Sequence, residues 1–453
     1  MYIYFHIISI MNMKRILQGT FWVILYLLLT LAPVLILLVG NSPPGREFWR
    51  DFSVALGYCA IAMWMLQFVL TARFKVIKAP YGSDIVYYFH KQISIVSYFL
   101  VLAHILILFI FSPKLIALLN FFTSPLRART AVASLLAVTA LILTSIYRKK
   151  WKIEYNRWRI WHGILAIAAV SLAFAHIYLV GYYLNTLLKR ELWVIYSLFW
   201  IGLIFYVRVY KPWVLTRNPF LVEEVKPERG GAYTLVLKPK NNKVFRFHAG
   251  QFAWLTANNT PFSDTEHPFT IASSAENRDT ITFTIKELGD FTSSIKSLKN
   301  GQEVYVDGPF GAFSYERHTH AKGFMFIAGG IGITPMMCML RSLADRQDER
   351  PLVLIYANKN WETVTFREEI EILQQGLNLK VIHVLEVPPD DWNGEKGFVN
   401  SGIIKKNLPE DLLPNTWEVF ICGPLPMMNA VENAMPSAGV SIGDFHSERF
   451  DLV

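Results

Sequence analysis

Cysteine is scarce in this chain of 453 residues: Cys59, Cys338 and Cys422 stand in no CxxC or other metal-ligand spacing. That excludes a disulfide framework. Charge is scarce too, at 17% of residues against 53% hydrophobic, with a positive mean hydropathy. A single soluble domain needs neither that length nor that balance, whereas a membrane half joined to a soluble half accounts for both. The net charge of +9 has no basic stripe behind it, because lysines and arginines gather at the ends of apolar runs. Nucleic acid is therefore excluded as a partner, and membrane orientation explains the excess.

What is present begins with apolar runs. Met1 to Asn12 is apolar and aromatic, and Met13, Lys14 and Arg15 ahead of Phe21 to Val39 form an alternative start to the chain. No small-residue cleavage site closes that stretch, so it reads as an uncleaved first span. Further spans are expected at Val54 to Ala72, Ile85 to Phe111, Thr130 to Tyr147, Trp158 to Tyr182 and Leu192 to Tyr210, making six. Arg73, Lys75 and Lys78, then Arg148, Lys149, Lys150, Lys152, Arg157 and Arg159, then Arg208, Lys211 and Arg217 fall on one side, which is expected to be cytoplasmic. The opposite connections hold fewer basic residues, among them Arg46, Arg50, Lys114, Arg127, Arg129, Lys189 and Arg190, and are too short for a folded domain.

Inside two of these spans one spacing repeats. His90 and His104 lie fourteen residues apart, and so do His162 and His176. On a helix that spacing rises roughly 21 Å and completes almost four turns, so each pair points to one side at two depths. Two such helices side by side offer two facing pairs, His90 with His162 near the cytoplasmic side and His104 with His176 near the outer side. Imidazoles above and below a plane are the axial ligands of a b-type haem, and ionisable groups inside a bilayer are functional candidates. Two stacked haems are expected.

After Pro212 the composition changes. Short alternating runs, Ala232 to Leu237, Val244 to Phe247, Thr280 to Ile285 and Glu303 to Val306, separated by Gly, Asn and Pro, predict an antiparallel barrel. Within it lie His267, Pro268, Phe269 and Thr270, followed by Ile271 to Ser274, and then Lys286 with the turn Gly289, Asp290, Phe291 and Thr292. These supply hydroxyl and backbone donors, an aromatic wall and an N–H-rich or positive cradle, the parts that a flavin dinucleotide requires.

From about Phe324 strands and helices alternate. A buried strand Gly323 to Ala328 leads into Gly329, Gly330, Ile331, Gly332, Ile333, Thr334 and Pro335, and Met336 to Ala344 has helical periodicity. Glycines let backbone approach a pyrophosphate, whose charge the following helix N-terminus favours. Strands Leu352 to Ala357, Lys380 to Leu385 and Trp417 to Cys422 extend a parallel sheet, and the last ends in Cys422, Gly423 and Pro424 at the edge where such sheets bind ligands.

The histidine pairs, the His267 to Ser274 stretch, the Gly329 to Pro335 turn, Cys422-Gly423-Pro424 and the C-terminal aromatic Phe450 together resemble the ferric reductase and NADPH oxidase superfamily, in a bacterial form. The resemblance runs from about Val54 to the end. It implies a multi-domain membrane protein: a six-helix transmembrane di-haem domain over 1–212, an FAD-binding antiparallel β-barrel over 218–317 and an α/β parallel-sheet NADPH-binding domain over 320–453. It further implies that Phe269 and Thr270 line the flavin ring, and that His267 and the Gly289 to Thr292 turn face its phosphates. Cys422 is placed by the nicotinamide and Phe450 over the isoalloxazine. In soluble ferredoxin-NADP reductases an arginine stands where His267 is, and three residues, Asp451, Leu452 and Val453, follow Phe450 here.

Behind the second nucleotide-domain strand come Asn358, Lys359 and Asn360, with Arg367 further on, and basic groups there hold a 2′-phosphate, so NADPH is expected ahead of NADH. The remaining histidines, His6, His248, His318, His320, His383 and His446, share no spacing and read as surface or core residues. The expected activity is an oxidoreductase in a bacterial cytoplasmic membrane with its dehydrogenase domains inside. It passes electrons from NADPH through FAD and two haems to dioxygen, giving superoxide, with no obligatory protein partner. Ferric iron is the alternative acceptor, weakened because the outer loops carry no cluster of carboxylates, methionines or cysteines. An anchor without haem, whether structural or quinone-linked, is the alternative from another class.

Overall fold

The computed structural model describes residues 2–39, 47–74, 83–263, 265–409 and 416–449. It divides into two compact units, Ser9–Pro80 with Ile85–Pro212, and Trp213–Val453 with Met1–Ile8 and Tyr81–Asp84. Arg46, Lys75, Lys78 and Phe450, all invoked above, lie outside the described residues.

The first unit rests on α1 (Tyr2–Leu37), α2 (Phe48–Thr71), α3 (Ser83–Phe111), α4 (Leu126–Ile146), α5 (Tyr155–Val180) and α6 (Leu187–Phe205). Among the described residues six helical segments are long and apolar enough to cross a membrane, one in each of α1 to α5 and the last running from α6 on to Thr216. Their ends depart from the hydropathy boundaries because capping, not apolarity, sets where a helix starts and stops. Helix α5 begins three residues early, where the Glu154 carboxylate accepts the backbone N–H groups of Asn156 at 2.7 Å and Arg157 at 2.8 Å. It stops two residues early, at Gly181, whose φ of 63° reverses the backbone.

Half of the apolar window of α2 is buried, against 6% of that of α3, so α2 runs through the middle of the bundle. Tyr58, Trp64 and Met65 of α2 pack with Phe174 of α5 and Trp193 and Trp200 of α6. Outward faces carry Phe99, Leu106, Leu136, Leu198 and Phe199 exposed, as a hydrocarbon-facing surface requires. Polar atoms inside find partners on other helices. Trp64 Nε1 donates to Ser97 Oγ at 3.1 Å, Ser134 Oγ to the Ala169 carbonyl at 2.8 Å, and Tyr196 to the Leu29 carbonyl at 2.6 Å.

After α6 come a wide turn at Tyr206–Tyr210 and the short α7 (Lys211–Thr216). The second unit then opens with β1 (Phe220–Glu228), β2 (Ala232–Pro239), β3 (Phe252–Thr256), β4 (His267–Thr270), β5 (Ile281–Lys286), α8 (Asp290–Ser294) and β6 (Glu303–Phe310). The strands form one antiparallel sheet in the order β4-β3-β6-β1-β2-β5. The expected barrel is not closed: its edges β4 and β5 meet at the bridge Ile271–Phe283, not along a ladder. Beside that bridge the Ala272 N–H donates to the Thr282 carbonyl at 2.7 Å, and the Ser273 Oγ accepts the Thr282 N–H at 3.1 Å. Val244 to Phe247 forms no strand either. Phe245 lies against Phe220 at 5.7 Å and Phe247 is buried, so rings anchor this stretch where no backbone partner does.

The chain continues through β7 (Gly323–Gly329), α9 (Ile333–Asp345), β8 (Leu352–Asn358), α10 (Arg367–Gly376), β9 (Leu379–Leu385), β10 (Glu395–Lys396), α11 (Ser401–Asn407), β11 (Trp417–Cys422), α12 (Leu425–Ala434) and β12 (Phe445–Ser447). These strands make a parallel sheet in the order β10-β9-β8-β7-β11-β12. Its central strands are continuous apolar runs such as Phe324–Ile327, fully buried as helices on both faces demand. The order reverses beside β7, whose neighbours are β8 and β11, so a ligand crevice is expected at the carboxyl ends of β7 and β11. The two sheets share one core, and α9 crosses between them. From α9, Arg341 bonds the Ala272 carbonyl and pairs with Glu369 at 2.6 Å.

Candidate functional site

In the helical unit the four histidines come together as two facing pairs. The His90 and His162 ring centroids lie 6.4 Å apart with planes at 53°. Two imidazoles bound at about 2 Å to a shared metal hold their centroids roughly 6 Å apart, so the spacing fits axial ligation. His104 and His176 line one cavity of about 120 Å³, with Gly57, Tyr58, Ser134 and Ala173 among its walls.

The hydrogen bonds of this second pair select a tautomer. His104 Nδ1 lies 2.8 Å from the Ser53 carbonyl and His176 Nδ1 lies 2.7 Å from the Arg127 carbonyl. A carbonyl only accepts, so each Nδ1 carries the proton and each Nε2 keeps its lone pair. Orientation of a ligating imidazole through its other nitrogen is the usual support for metal binding. The residues thus fit haem iron. The first pair is held more loosely: His162 Nδ1 sits 3.2 Å from Ser145 Oγ, and His90 Nδ1 has no partner among the described residues.

In the second unit the glycine-rich turn sits at the carboxyl end of β7. Gly330 has φ 53° with open space where a side chain would stand. A Cβ on Gly332 would come 2.4 Å from the Cys422 carbonyl oxygen, and one on Gly423 would come 3.0 Å from the Gly329 nitrogen. Backbone presses on backbone here, which only glycine permits. Thr334 Oγ1 donates to the Ile331 carbonyl at 3.1 Å and the Tyr356 hydroxyl to the Gly330 carbonyl at 3.2 Å, fixing the turn. Pro335 is buried in the first turn of α9, and β11 pairs Cys422 with Ala328, bringing Cys422 and Pro424 to the same edge.

The flavin candidates gather on β4 and α8. Phe269 and Phe291 stack at 5.9 Å and 13°, and the His267 ring lies 4.1 Å from Phe291. Pro268 pairs with Trp254 and buried Thr270 with Phe252, so β3 holds the strand. Thr292 builds the turn: its Oγ1 accepts the N–H groups of Leu288 at 2.8 Å and Gly289 at 2.9 Å. Lys286 ends β5, opposite Ala232. An aromatic ledge beside an open glycine turn fits a flat ring system carrying phosphates.

Lys359 is exposed beyond β8. The Arg367 guanidinium, by contrast, lies 4.7 Å over the Trp361 ring and 3.1 Å from Glu368. His383 stands edge-on to Trp361 at 5.0 Å, and burial first, then the Arg367 charge, pull its imidazole down to about 4. Three histidines that spacing left unassigned, His318, His320 and His446, converge on Glu418. The available signal was the His318-x-His320 pair, but its carboxylate lies 98 residues away in sequence and arrives only through the sheet.

Residues 56–173 match the family described as ferric reductase like transmembrane component, residues 232–314 an FAD-binding domain family and residues 326–433 the oxidoreductase NAD-binding domain family. NADH-cytochrome b5 reductase 2 of Mycosarcoma maydis is 27% identical over 221 residues, 47% of this chain and 63% of that protein. NADH-cytochrome b5 reductase 1 of Aspergillus terreus is 34% identical over 158 residues, 33% of this chain and 52% of that protein. The chain thus spans between half and two thirds of the length of these curated relatives. Among solved structures, the cytochrome b5 reductase domain of Ulva prolifera nitrate reductase is similar at 20% identity and a TM-score of 0.46, over 52% of this chain and 98% of that one.

Proposed function

We propose a transmembrane electron relay for this chain, which has the ferric reductase and NADPH oxidase architecture: a ferric reductase like transmembrane component followed by FAD-binding and NAD-binding domains. It is an integral membrane, NAD(P)H-dependent flavin oxidoreductase. Bound in the second unit, FAD would supply hydride acceptance and one-electron release, and two b-type haems held by the four histidines would supply the one-electron path across the membrane.

The observation that carries this reading is the shared cavity of His104 and His176, each with Nδ1 committed to a backbone carbonyl and Nε2 left to ligate. His104 with His176 and His90 with His162 supply the four axial nitrogens. Phe269, Phe291, Pro268 and His267 form the flavin ledge, Thr270 offers a hydroxyl to the ring, and Lys286 with the Gly289 to Thr292 turn stands toward the phosphates. Gly329, Gly330 and Gly332 admit the nicotinamide dinucleotide's pyrophosphate, Thr334 and Pro335 open the helix behind it, and Cys422, Gly423 and Pro424 form the wall where hydride leaves. By the resemblance Phe450, outside the described residues, would be the residue that covers the flavin.

The basic connection between α4 and α5, with Arg148, Lys149, Lys150 and Lys152, supports a dehydrogenase side in the cytoplasm of a bacterial cell. Dioxygen is the acceptor, reduced to superoxide, because the short outer connections enclose no larger substrate. The test is purified protein with NADPH, assayed by cytochrome c reduction in the presence and absence of superoxide dismutase. Reduction insensitive to the dismutase, alongside rapid reduction of ferric chelates, would assign a metal reductase instead. A spectrum without the bands of bis-histidine haem would reduce the bundle to an anchor.

NADPH is the donor in this reading, through Lys359 and Arg367. A specific observation favours NADH: the Arg367 guanidinium is already engaged by Trp361 and Glu368, and the relatives above are named as NADH-dependent. The ratio of kcat/KM for the two nucleotides decides, and a ratio favouring NADPH that falls in Lys359→Ala with Arg367→Ala supports the phosphate contact.

A further inference from the structure

Glu418 is the second residue of β11, at the amino edge of the parallel sheet and therefore at the opposite end from the glycine turn and Cys422. Its carboxylate is buried, and three imidazoles surround it. His318 Nδ1 lies 2.8 Å and His320 Nε2 3.1 Å from Oε1, and His446 Nε2 lies 2.6 Å from Oε2. The donor atoms of His318, His320 and Glu418 all fall within 4.8 Å of one another. With His446 the cluster draws on three separate pieces of chain: the turn before β7, the start of β11 and the middle of β12.

Charge makes this arrangement costly without a cation. Among the described residues no lysine or arginine pairs with Glu418, so neutral imidazoles leave a net negative charge inside the protein. The apolar wall is Phe420, whose ring stands 5.8 Å from His318 and 5.2 Å from His446. The His318 and Glu418 side chains are 4% and 3% exposed, whereas His320 and His446 are 16% and 23% exposed, which leaves a way in from solvent.

We propose that His318 Nδ1, His320 Nε2 and the Glu418 carboxylate bind one zinc-class divalent cation, with His446 holding the second carboxylate oxygen. Two imidazoles and one carboxylate are borderline donors that suit zinc and its first-row neighbours, whereas magnesium and calcium take oxygen alone. Tetrahedral bonds of about 2.0 to 2.1 Å put donor atoms roughly 3.3 Å apart, so the carboxylate–imidazole contacts open by about half an ångström or less. The tautomers of His318 and His320 change on binding, because the nitrogens now facing the carboxylate must present lone pairs. The bound cation pins the turn before β7 to β11 and, through His446, the C-terminal strand to both. No part of this depends on which electron acceptor the membrane half serves.

The experiment uses the full chain, loaded with FAD and haem, in detergent and purified on a tag that contains no histidine. The protein is treated with chelator, given one equivalent of zinc chloride, desalted, and measured for zinc by mass spectrometry against its flavin content. About one zinc per flavin is expected for the wild type, and a more than tenfold lower value for His318→Gln with His320→Gln and for Glu418→Gln. His446→Gln should keep the zinc but release it to a weaker chelator, and excess magnesium should displace none. Flavin and haem content check folding in each variant. Should Glu418→Gln lose flavin, the single variant His320→Gln, at a partly exposed position, carries the test alone. Wild-type retention below about a tenth of an equivalent, or equal retention by the His318→Gln, His320→Gln protein, overturns the site.

Discussion

A methyl group added to Gly332 and one added to Gly57 meet very different neighbours. On Gly332 it would lie 2.4 Å from the Cys422 carbonyl, which is backbone of a central strand; on Gly57 it would lie 3.3 Å from Nδ1 of His104, a side chain. The nucleotide half thus fixes its geometry by backbone against backbone and has no slack. The membrane half holds a ring by contacts to the carbonyl and hydroxyl of one serine, Ser53, and by a small neighbour, and the ring is free to give a little.

The largest expected effect attacks the ring itself. His104→Ala or His176→Ala should each remove about half of the haem per flavin while leaving flavin reduction by NADPH unchanged, since each takes one axial bond from a single iron. Haem content by pyridine haemochrome measures this, and unchanged haem in both variants would break the assignment. Next comes Gly332→Ala, which should cost about 1 to 3 kcal/mol in denaturant unfolding and raise the KM for nucleotide, because β11 must move away. A midpoint equal to wild type would mean that the two segments part easily, and the contrast between the halves would fail.

Burial in the nucleotide half also acts on charge. His383 titrates at about 4 in the folded protein, against about 6.5 when unfolded. Between those values the unfolded chain binds more protons, so stability falls as pH drops through the window from 6.5 to 4, and is complete above it. The deficit at pH 5 relative to pH 7.5 should be about 1 to 2 kcal/mol smaller in His383→Gln than in wild type. Equal pH slopes in urea unfolding would mean that the ring takes up its proton in place. The smallest effect should follow from Gly57→Ala. It is expected to retain both haems and shift only the midpoint potential or the Soret band of one, and loss of that haem would show that the membrane half is as unyielding as the glycine turn.

Much of this was legible in the chain because it is written in short periods. The fourteen-residue histidine spacing, the glycine run and the strand Trp417–Cys422 each depend on neighbours within a few turns or one strand. Helix ends were less legible, since one carboxylate at Glu154 outweighs the hydropathy of a whole window. Val244 to Phe247 alternates like a strand but finds no ladder, because whether a partner strand is present is a tertiary fact. Thr292 reads in sequence as part of a phosphate-facing turn, and the bonds by which its hydroxyl holds that turn together had no sequence signal. The Glu418 cluster was invisible because parallel pairing of β7, β11 and β12 assembles it from distant segments.

The parallel sheet ends in β10, two residues long, and β12, three residues long. A protein anchored in a bilayer meets its copies in two dimensions, where encounters between like faces are far more frequent than in free solution. Unpaired strand edges are templates for a second chain, and edges this short give an incoming strand too few backbone partners to hold. Crowding in the membrane plane therefore need not drive these sheets into continuous assemblies.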